Sequence, residues 1–209
     1  MRSIASGRLT FFYAKGYNNS RSAEFSPAYQ NLRQAILLRN NEPLYYDEIA
    51  FPAAALSLAL IDEGESTGSA QLANEAIESS TKAVTMSGNN VNFWKTRTRV
   101  FYTLSQLDEK YLDEAKSSLE VARTLSPTDP KIVYNLAIIY QGIGKTDEAL
   151  NLLAETIRLK VDYRDAYFAQ ALIYEEEKQN QKAIDALNFI LNRINPEDEE
   201  AKQKLEELK

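Results

Sequence analysis

The chain of 209 residues contains no cysteine and no histidine. Their absence removes disulfides, thiolate nucleophiles, imidazole bases and the usual nitrogen and sulfur ligands of zinc. A thiol-redox enzyme and a zinc enzyme ligated by His or Cys are therefore excluded. No run approaches the roughly 18 consecutive apolar residues needed to span a bilayer. The opening MRSIASGRLTFFYAKG carries Arg2 and Arg8 but lacks the continuous apolar core of a secretory signal. No direct membrane insertion by this chain is expected. Basic excess is missing as well: 24 Lys and Arg against 30 Asp and Glu leave a formal net charge of -6. With an isoelectric point near 4.9, nucleic-acid binding through phosphate neutralisation is not expected. The lack of cysteine is compatible with either redox environment, so the compartment stays open.

What is present is a period. In residues 130–163, PKIVYNLAIIYQGIGKTDEALNLLAETIRLKVDY, the positions Val133, Leu136, Ala137, Tyr140, Ala149 and Leu153 are followed thirty-four residues later by Tyr167, Gln170, Ala171, Tyr174, Ala183 and Leu187. Only Gln170 breaks the apolar pattern. A period of that length with an apolar helical pattern in each half marks a helix-turn-helix repeat array. The pattern of an early aromatic, a small residue, a tyrosine and then alanines in the second helix resembles the tetratricopeptide repeat (TPR) family. That resemblance implies an all-α fold: a right-handed α-solenoid of about five repeats with a C-terminal capping helix.

The register predicts one solenoid domain over residues 9–209, preceded by an extension, 1–8, that has no period and is expected to fray or to continue from something upstream. Repeats are expected at about 9–42, 43–90, 91–129, 130–163 and 164–197. In the first, Gly16 stands in the column where two helices approach closely, and Ser26 with Pro27 reads as an N-cap and first-turn proline. The second repeat is about fourteen residues too long. Its excess, DEGESTGS at 62–69, reads as a loop between helices, and Pro52 should kink the first of them. The third holds Trp94 and Phe101 and carries a five-residue insertion around SQLDEK. Asp129 is expected to cap a helix that starts at Pro130. The tail, 198–209, places Ala201, Leu205 and Leu208 on one face, with Asp198–Lys202 and Glu200–Lys204 as ion pairs on the other. It reads as a cap that closes the array.

The TPR resemblance implies that the first helix of each pair lines a concave groove. The groove columns fall on Tyr13, Tyr17 and Arg21; on Asp47, Glu48 and Phe51; on Lys95, Arg99 and Tyr102; on Lys131, Tyr134, Asn135 and Gln141; and on Phe168, Glu175 and Glu176. Tyrosines and arginines on rigid helices suit recognition. The cluster Lys95, Arg99, Lys131 and Asn135 points to a protein or peptide partner that is acidic or ends in a C-terminal carboxylate. The family's two-carboxylate clamp is incomplete here, since Arg99 replaces its first asparagine, and Asp165 and Ala169 stand where a lysine and an arginine are needed. DEGESTGS lacks the alternating ligands of a calcium loop, and QGIGKT at 141–146 lacks the first glycine and preceding strand of a phosphate loop. No metal, cofactor or catalytic residue is expected.

These features predict a non-catalytic interaction module or scaffold. The wording of NEPLYYDEIAF, NNVNFWKTRTRVFYTLSQLDEKYLDEA and SPTDPKIVYNLAIIY also resembles the TPR tails of bacterial O-antigen ligase or polymerase-like membrane proteins. This second resemblance implies an appendage of a glycan-assembly enzyme. On the first reading the chain is soluble and cytoplasmic; on the second it is tethered to a membrane through an upstream region.

Overall fold

The structure, a computed structural model, describes residues 2–208, with side chains from Gly7 onward. Met1 and Lys209, the outermost residues of the expected extension and cap, lie outside the described residues. Among those described there are eleven α-helices and no strand: α1 (Arg2–Arg21), α2 (Phe25–Leu38), α3 (Pro43–Asp62), α4 (Ser66–Met86), α5 (Val91–Leu104), α6 (Tyr111–Leu125), α7 (Pro130–Gly142), α8 (Thr146–Leu159), α9 (Arg164–Glu176), α10 (Asn180–Phe189) and α11 (Glu199–Glu207). Residues Ile190–Ile194 continue α10 as a π-helical turn. The chain is an α-solenoid of helix pairs, gathered into two compact units, Met1–Leu125 and Ser126–Lys209.

The turn inside a pair has one chemistry. The N–H groups of Glu24, Glu65, Lys145 and Gln179 donate to the carbonyls of Asn19, Leu60, Tyr140 and Tyr174 at 2.7–2.9 Å. Each bond closes a Schellman motif, which satisfies carbonyls the helix end would leave open and needs a left-handed residue just before the donor. That residue is Ala23 (φ 59), Gly64 (φ 83), Gly144 (φ 75) or Lys178 (φ 58). The α5–α6 connection, residues 105–110, is longer, in keeping with the expected insertion there.

Helix starts follow their caps. Asn90, Asp129 and Asp198 accept side-chain hydrogen bonds from the backbone N–H of Asn92, Lys131 and Ala201. The expected cap at Ser26 is corrected: α2 begins one residue earlier, at Phe25, and Glu24 precedes it without a side-chain cap. Pro27 still falls in the first turn, where its missing N–H costs nothing. α1 starts at Arg2, so the extension expected to fray is helical from that residue.

In the first unit the excess of the second repeat lies in its helices, not in a loop. α3 has 20 residues and α4 has 21, against 13 and 14 in α7 and α8. Ser66 to Ser69, expected as loop, form the first turn of α4, and Ser69 is buried there. α3 packs on α2, α4 and α5. Its Ala50, Ala53 and Ala54 meet Ala73 and Ala76 of α4 and Val100 and Leu104 of α5. Small side chains at these positions let three helix axes approach closely. By length and composition α3 could cross a membrane, but half of its apolar window is buried inside the unit, as a core helix requires. Gly16 does stand at a close approach: a Cβ there would lie 2.6 Å from Leu32 Cγ.

The second unit has its core between α9, α10 and α11, where Tyr167, Ala171, Ala183, Leu187, Ile190, Ala201 and Leu205 are buried together and Leu208 packs against them. The apolar face of the tail is therefore used as expected. Its charges are not. Asp198 and Glu200 both bind Arg164 of α9, at 2.9 and 2.6 Å. Lys202 turns to Glu197 and Glu199, and Lys204 to Glu175 and Glu207. The expected Asp198–Lys202 and Glu200–Lys204 pairs are displaced because a guanidinium across the interface offers the carboxylates a planar fork.

Candidate binding face on α1, α3 and α5

The residues of the predicted groove fall into two sets. Those of the second unit are largely engaged in holding it together. Gln141 Nε2 donates to Glu176 Oε2 at 2.9 Å, and Glu175 pairs with Lys204 at 2.7 Å. Phe168 lies under Arg164 at 4.4 Å, and the ring of Tyr134 sits 5.2 Å from that of Tyr163. Lys131 is exposed and Asn135 half-buried on α7. On α5 of the first unit, Lys95 is half-buried and Tyr102 is exposed.

The other first-unit residues converge. On α1, Tyr13, Tyr17 and Arg21 recur every four residues and so form one stripe. Tyr13 lies 6.1 Å from Tyr17 and 5.0 Å from Tyr45 of α3, centroid to centroid. The Arg21 guanidinium sits 4.9 Å from the Tyr17 ring centre. On the neighbouring helices the arrangement recurs, with Arg99 of α5 lying 3.2 Å above the ring of Phe51. Phe25 meets the same Phe51 edge-on at 5.4 Å. Among the described residues, neither Arg21 nor Arg99 has a carboxylate within ion-pairing distance. Each is held by an aromatic face instead, an attraction of about 0.5–2 kcal/mol that orients the fork while leaving its N–H edge free. Partial burial, and then the like charge of Arg21, hold the Arg99 guanidinium below its ordinary pKa.

Carboxylates lie next to this pair. Burial pushes the Glu48 carboxyl up, and Arg21 opposes that push. Asp47 is 7% exposed. Its placement among the groove contacts is therefore corrected: the side chain is inside the first unit. Burial drives Asp47 up to about 7, with the nearby Thr96 hydroxyl opposing and Glu48 adding. Its Oδ1 has no partner, and an unmet buried acceptor costs about 1–3 kcal/mol. Tyr13 is pushed up to about 12, first by burial and then by Glu48, Tyr17, Tyr45 and Asp47.

Tyr45 and Phe25 completed this face without appearing among the groove columns. Each is an aromatic in the first turn of its helix, and Phe25 stands in a packing column of the TPR pattern. Chemically, the face offers two oriented guanidinium groups, a floor of aromatic rings and one partly desolvated carboxyl, that of Glu48. It has the make-up of a recognition surface.

Comparison with known proteins agrees with this architecture. Residues 106–173 match the family model described as tetratricopeptide repeat. The human tetratricopeptide repeat protein 7A is 25% identical over 89 residues, a stretch that covers 43% of this chain and 10% of that protein. Among solved structures, TTC0263, a TPR protein of Thermus thermophilus, superposes with a TM-score of 0.66 at 16% identity, covering 96% of this chain and 98% of that one. YrrB, a TPR protein described as having an unusual peptide-binding site, gives 0.61 at 17% identity over 92% of this chain and 89% of its own. The MamA protein gives 0.63 at 19% identity, covering 90% and 96%. Residues 106–173 thus carry the tetratricopeptide repeat, and the whole chain has the fold of TPR proteins.

Proposed function

We propose that this chain is a protein-interaction module without chemistry of its own, and that it holds an extended partner segment across the α1, α3 and α5 face of its first unit. Arg21 and Arg99 receive a carboxylate of that segment, from an acidic side chain or a C-terminus. The observation that carries the reading is that both guanidinium groups rest on aromatic rings, Tyr17 and Phe51, without a carboxylate of the chain itself in ion-pairing reach. Guanidinium groups with a structural task look different, as Arg164 between Asp198 and Glu200 illustrates. The peptide site named for YrrB, a protein of the same fold, lends support.

A peptide library displayed with free C-termini and selected on the immobilised chain tests this reading. Acidic sequences are expected to be enriched, and Arg21→Ala with Arg99→Ala is expected to weaken the selected peptides by about 1–3 kcal/mol without a large change in melting temperature. Enrichment indifferent to acidic residues would exclude the carboxylate site. Lys95 and Tyr102 of the first unit are proposed as further partner contacts and, separately, Lys131, Tyr134 and Asn135 of the second, each set tested by the same selection on its own alanine variants.

A second reading, a TPR appendage of an O-antigen ligase or polymerase-like membrane protein, rests on the resemblance of NEPLYYDEIAF and the segments that follow it. An antibody against this chain, applied to cytosolic and membrane fractions, decides it. A much larger membrane band supports the appendage, and a soluble band near 23.7 kDa removes it.

A further inference from the structure

Within the first unit, α2 and α4 both pack on α3 and leave a cleft of about 530 Å³ between them. Ile36 and Leu37 of α2 form an apolar wall, and Tyr46 of α3 lies in the cleft. The opposite wall is one face of α4, running from Gln71 to Lys82 at helical spacing. That wall is about 16.5 Å long. Leu37 is 72% exposed and Leu38 beside it 47%, so α2 holds two leucines out to solvent here. The charges are arranged as no merely solvated face requires. Glu78 and Lys82 stand four residues apart in the order that favours an ion pair, yet Lys82 turns away. Its Nζ donates to the Tyr46 hydroxyl at 2.7 Å and lies 4.0 Å from the centre of that ring. Among the described residues, Glu78 is left without a cation, and Arg33 on the α2 wall without a carboxylate, within ion-pairing distance. Glu75, by contrast, accepts the Tyr29 hydroxyl at 2.6 Å. The cleft therefore carries an unmet cation on one wall and an unmet carboxylate on the other.

We infer that this cleft is an interface between two copies of the chain, with α2 of each copy lying in the cleft of the other. A two-fold contact needs a surface complementary to itself. This one is: Arg33 of each copy meets Glu78 of the other, and Leu37 of each covers Ile36 and Tyr46 of the other. Length agrees, since α2 has 14 residues and at about 21 Å spans the α4 wall. A helix that enters a groove with apolar anchors is a recurrent mode of recognition. An acidic helix from another protein would answer Arg33 and repel Glu78, and a basic one the reverse. The occupant must carry both signs, and a second copy does so by symmetry.

Sedimentation equilibrium of the full chain tests the interface. The native chain is expected to pass from 23.7 kDa to twice that mass as its concentration rises. Arg33→Glu and Glu78→Arg, both at exposed positions, should each raise the dimer dissociation constant about tenfold or more, because each sets like charges against one another at both contacts. Arg33→Glu makes the net charge of -6 more negative and Glu78→Arg makes it less so, so a loss shared by both is specific to the contact. An equimolar mixture of the two variants should recover the native association, since in the mixed pair an acidic side chain again faces a basic one at both contacts. A native chain that stays at 23.7 kDa up to about 1 mM overturns the inference. A dimer that neither reversal weakens overturns it too, as does a mixture that associates no better than its parts.

Discussion

Arg164 of α9 grips Asp198 through two parallel hydrogen bonds, Nε to Oδ2 and Nη2 to Oδ1, each 2.9 Å long. The same carboxylate accepts the N–H of Ala201 at 3.0 Å and so caps α11. One side chain thus starts the last helix and ties it to the core. Asp198→Ala should lower stability by about 1–3 kcal/mol in urea unfolding, because it removes a cap and leaves a guanidinium without its main partner. Hydrogen exchange of residues 199–207 should rise with it. The Arg164 hydrogen bond, opposed by burial and aided by the Ala201 N–H, holds the Asp198 carboxyl below its ordinary pKa. Its contribution is therefore present above the unfolded value of about 3.9 and lost as pH falls through the lower folded one.

The turns make a second prediction. Ala23 and Lys178 occupy the left-handed position that glycine holds at Gly64 and Gly144, and a side chain in that conformation costs about 1–2 kcal/mol. Ala23→Gly and Lys178→Gly should each stabilise the chain by about 1 kcal/mol. Gly64→Ala and Gly144→Ala should destabilise it by a similar amount, since nothing lies within 4 Å of either added Cβ and only the backbone preference changes. Thermal unfolding of the four variants checks both signs.

Close helix approach sets a third. Gly16→Ala places a Cβ 2.6 Å from Leu32 Cγ and 3.1 Å from its backbone nitrogen. Because the nitrogen cannot move without moving α2, the expected loss is about 1–3 kcal/mol. Gly7→Ala, on the same helix with open space around it, should be neutral or slightly stabilising by helix propensity. Ala149→Leu and Ala183→Leu, at fully buried positions of the second unit, should cost about as much as Gly16→Ala.

The fourth concerns pH. Burial raises Asp47 from an ordinary value near 3.8 to about 7. Between those values the folded chain keeps a proton that the unfolded chain has released, so stability falls as pH rises through this window. The slope is up to about 1.4 kcal/mol per pH unit. Asp47→Asn should flatten it. Glu48, raised by burial as well, should leave a smaller slope of the same sign. Urea midpoints measured from pH 4 to 8 separate the two, and an unchanged slope in Asp47→Asn would sink the assignment.

Much of this architecture was legible beforehand. α7 and α9 begin at Pro130 and Arg164, and α8 and α10 at Thr146 and Asn180, both thirty-four residues apart as the period required. Asp129 caps α7 through Lys131 N–H. Residues whose local preferences are ambiguous took the other structure. Ser66 to Ser69 look like a turn because serine, threonine and glycine favour turns when nothing else competes. Packing against α3 provided the competition, and Ser69 became a buried residue of α4. On the face of the first unit, Tyr13, Tyr17 and Arg21 came from the groove columns that the TPR resemblance implies, whereas the burial of Asp47 had no sign in the sequence.

The division has one physical cause. A helix repeats every 3.6 residues, so the order of residues along it determined which side of each helix turns inward, where the pairs begin and which columns must stay small. That much depends on neighbours in the chain. Partners across helices depend on axis distance and rotation, which arise only when the helices pack. Tertiary structure therefore decided that Arg164 takes Asp198 from Lys202, that Arg99 of α5 lies on Phe51 of α3, and that Asp47 is enclosed with one oxygen left unmet.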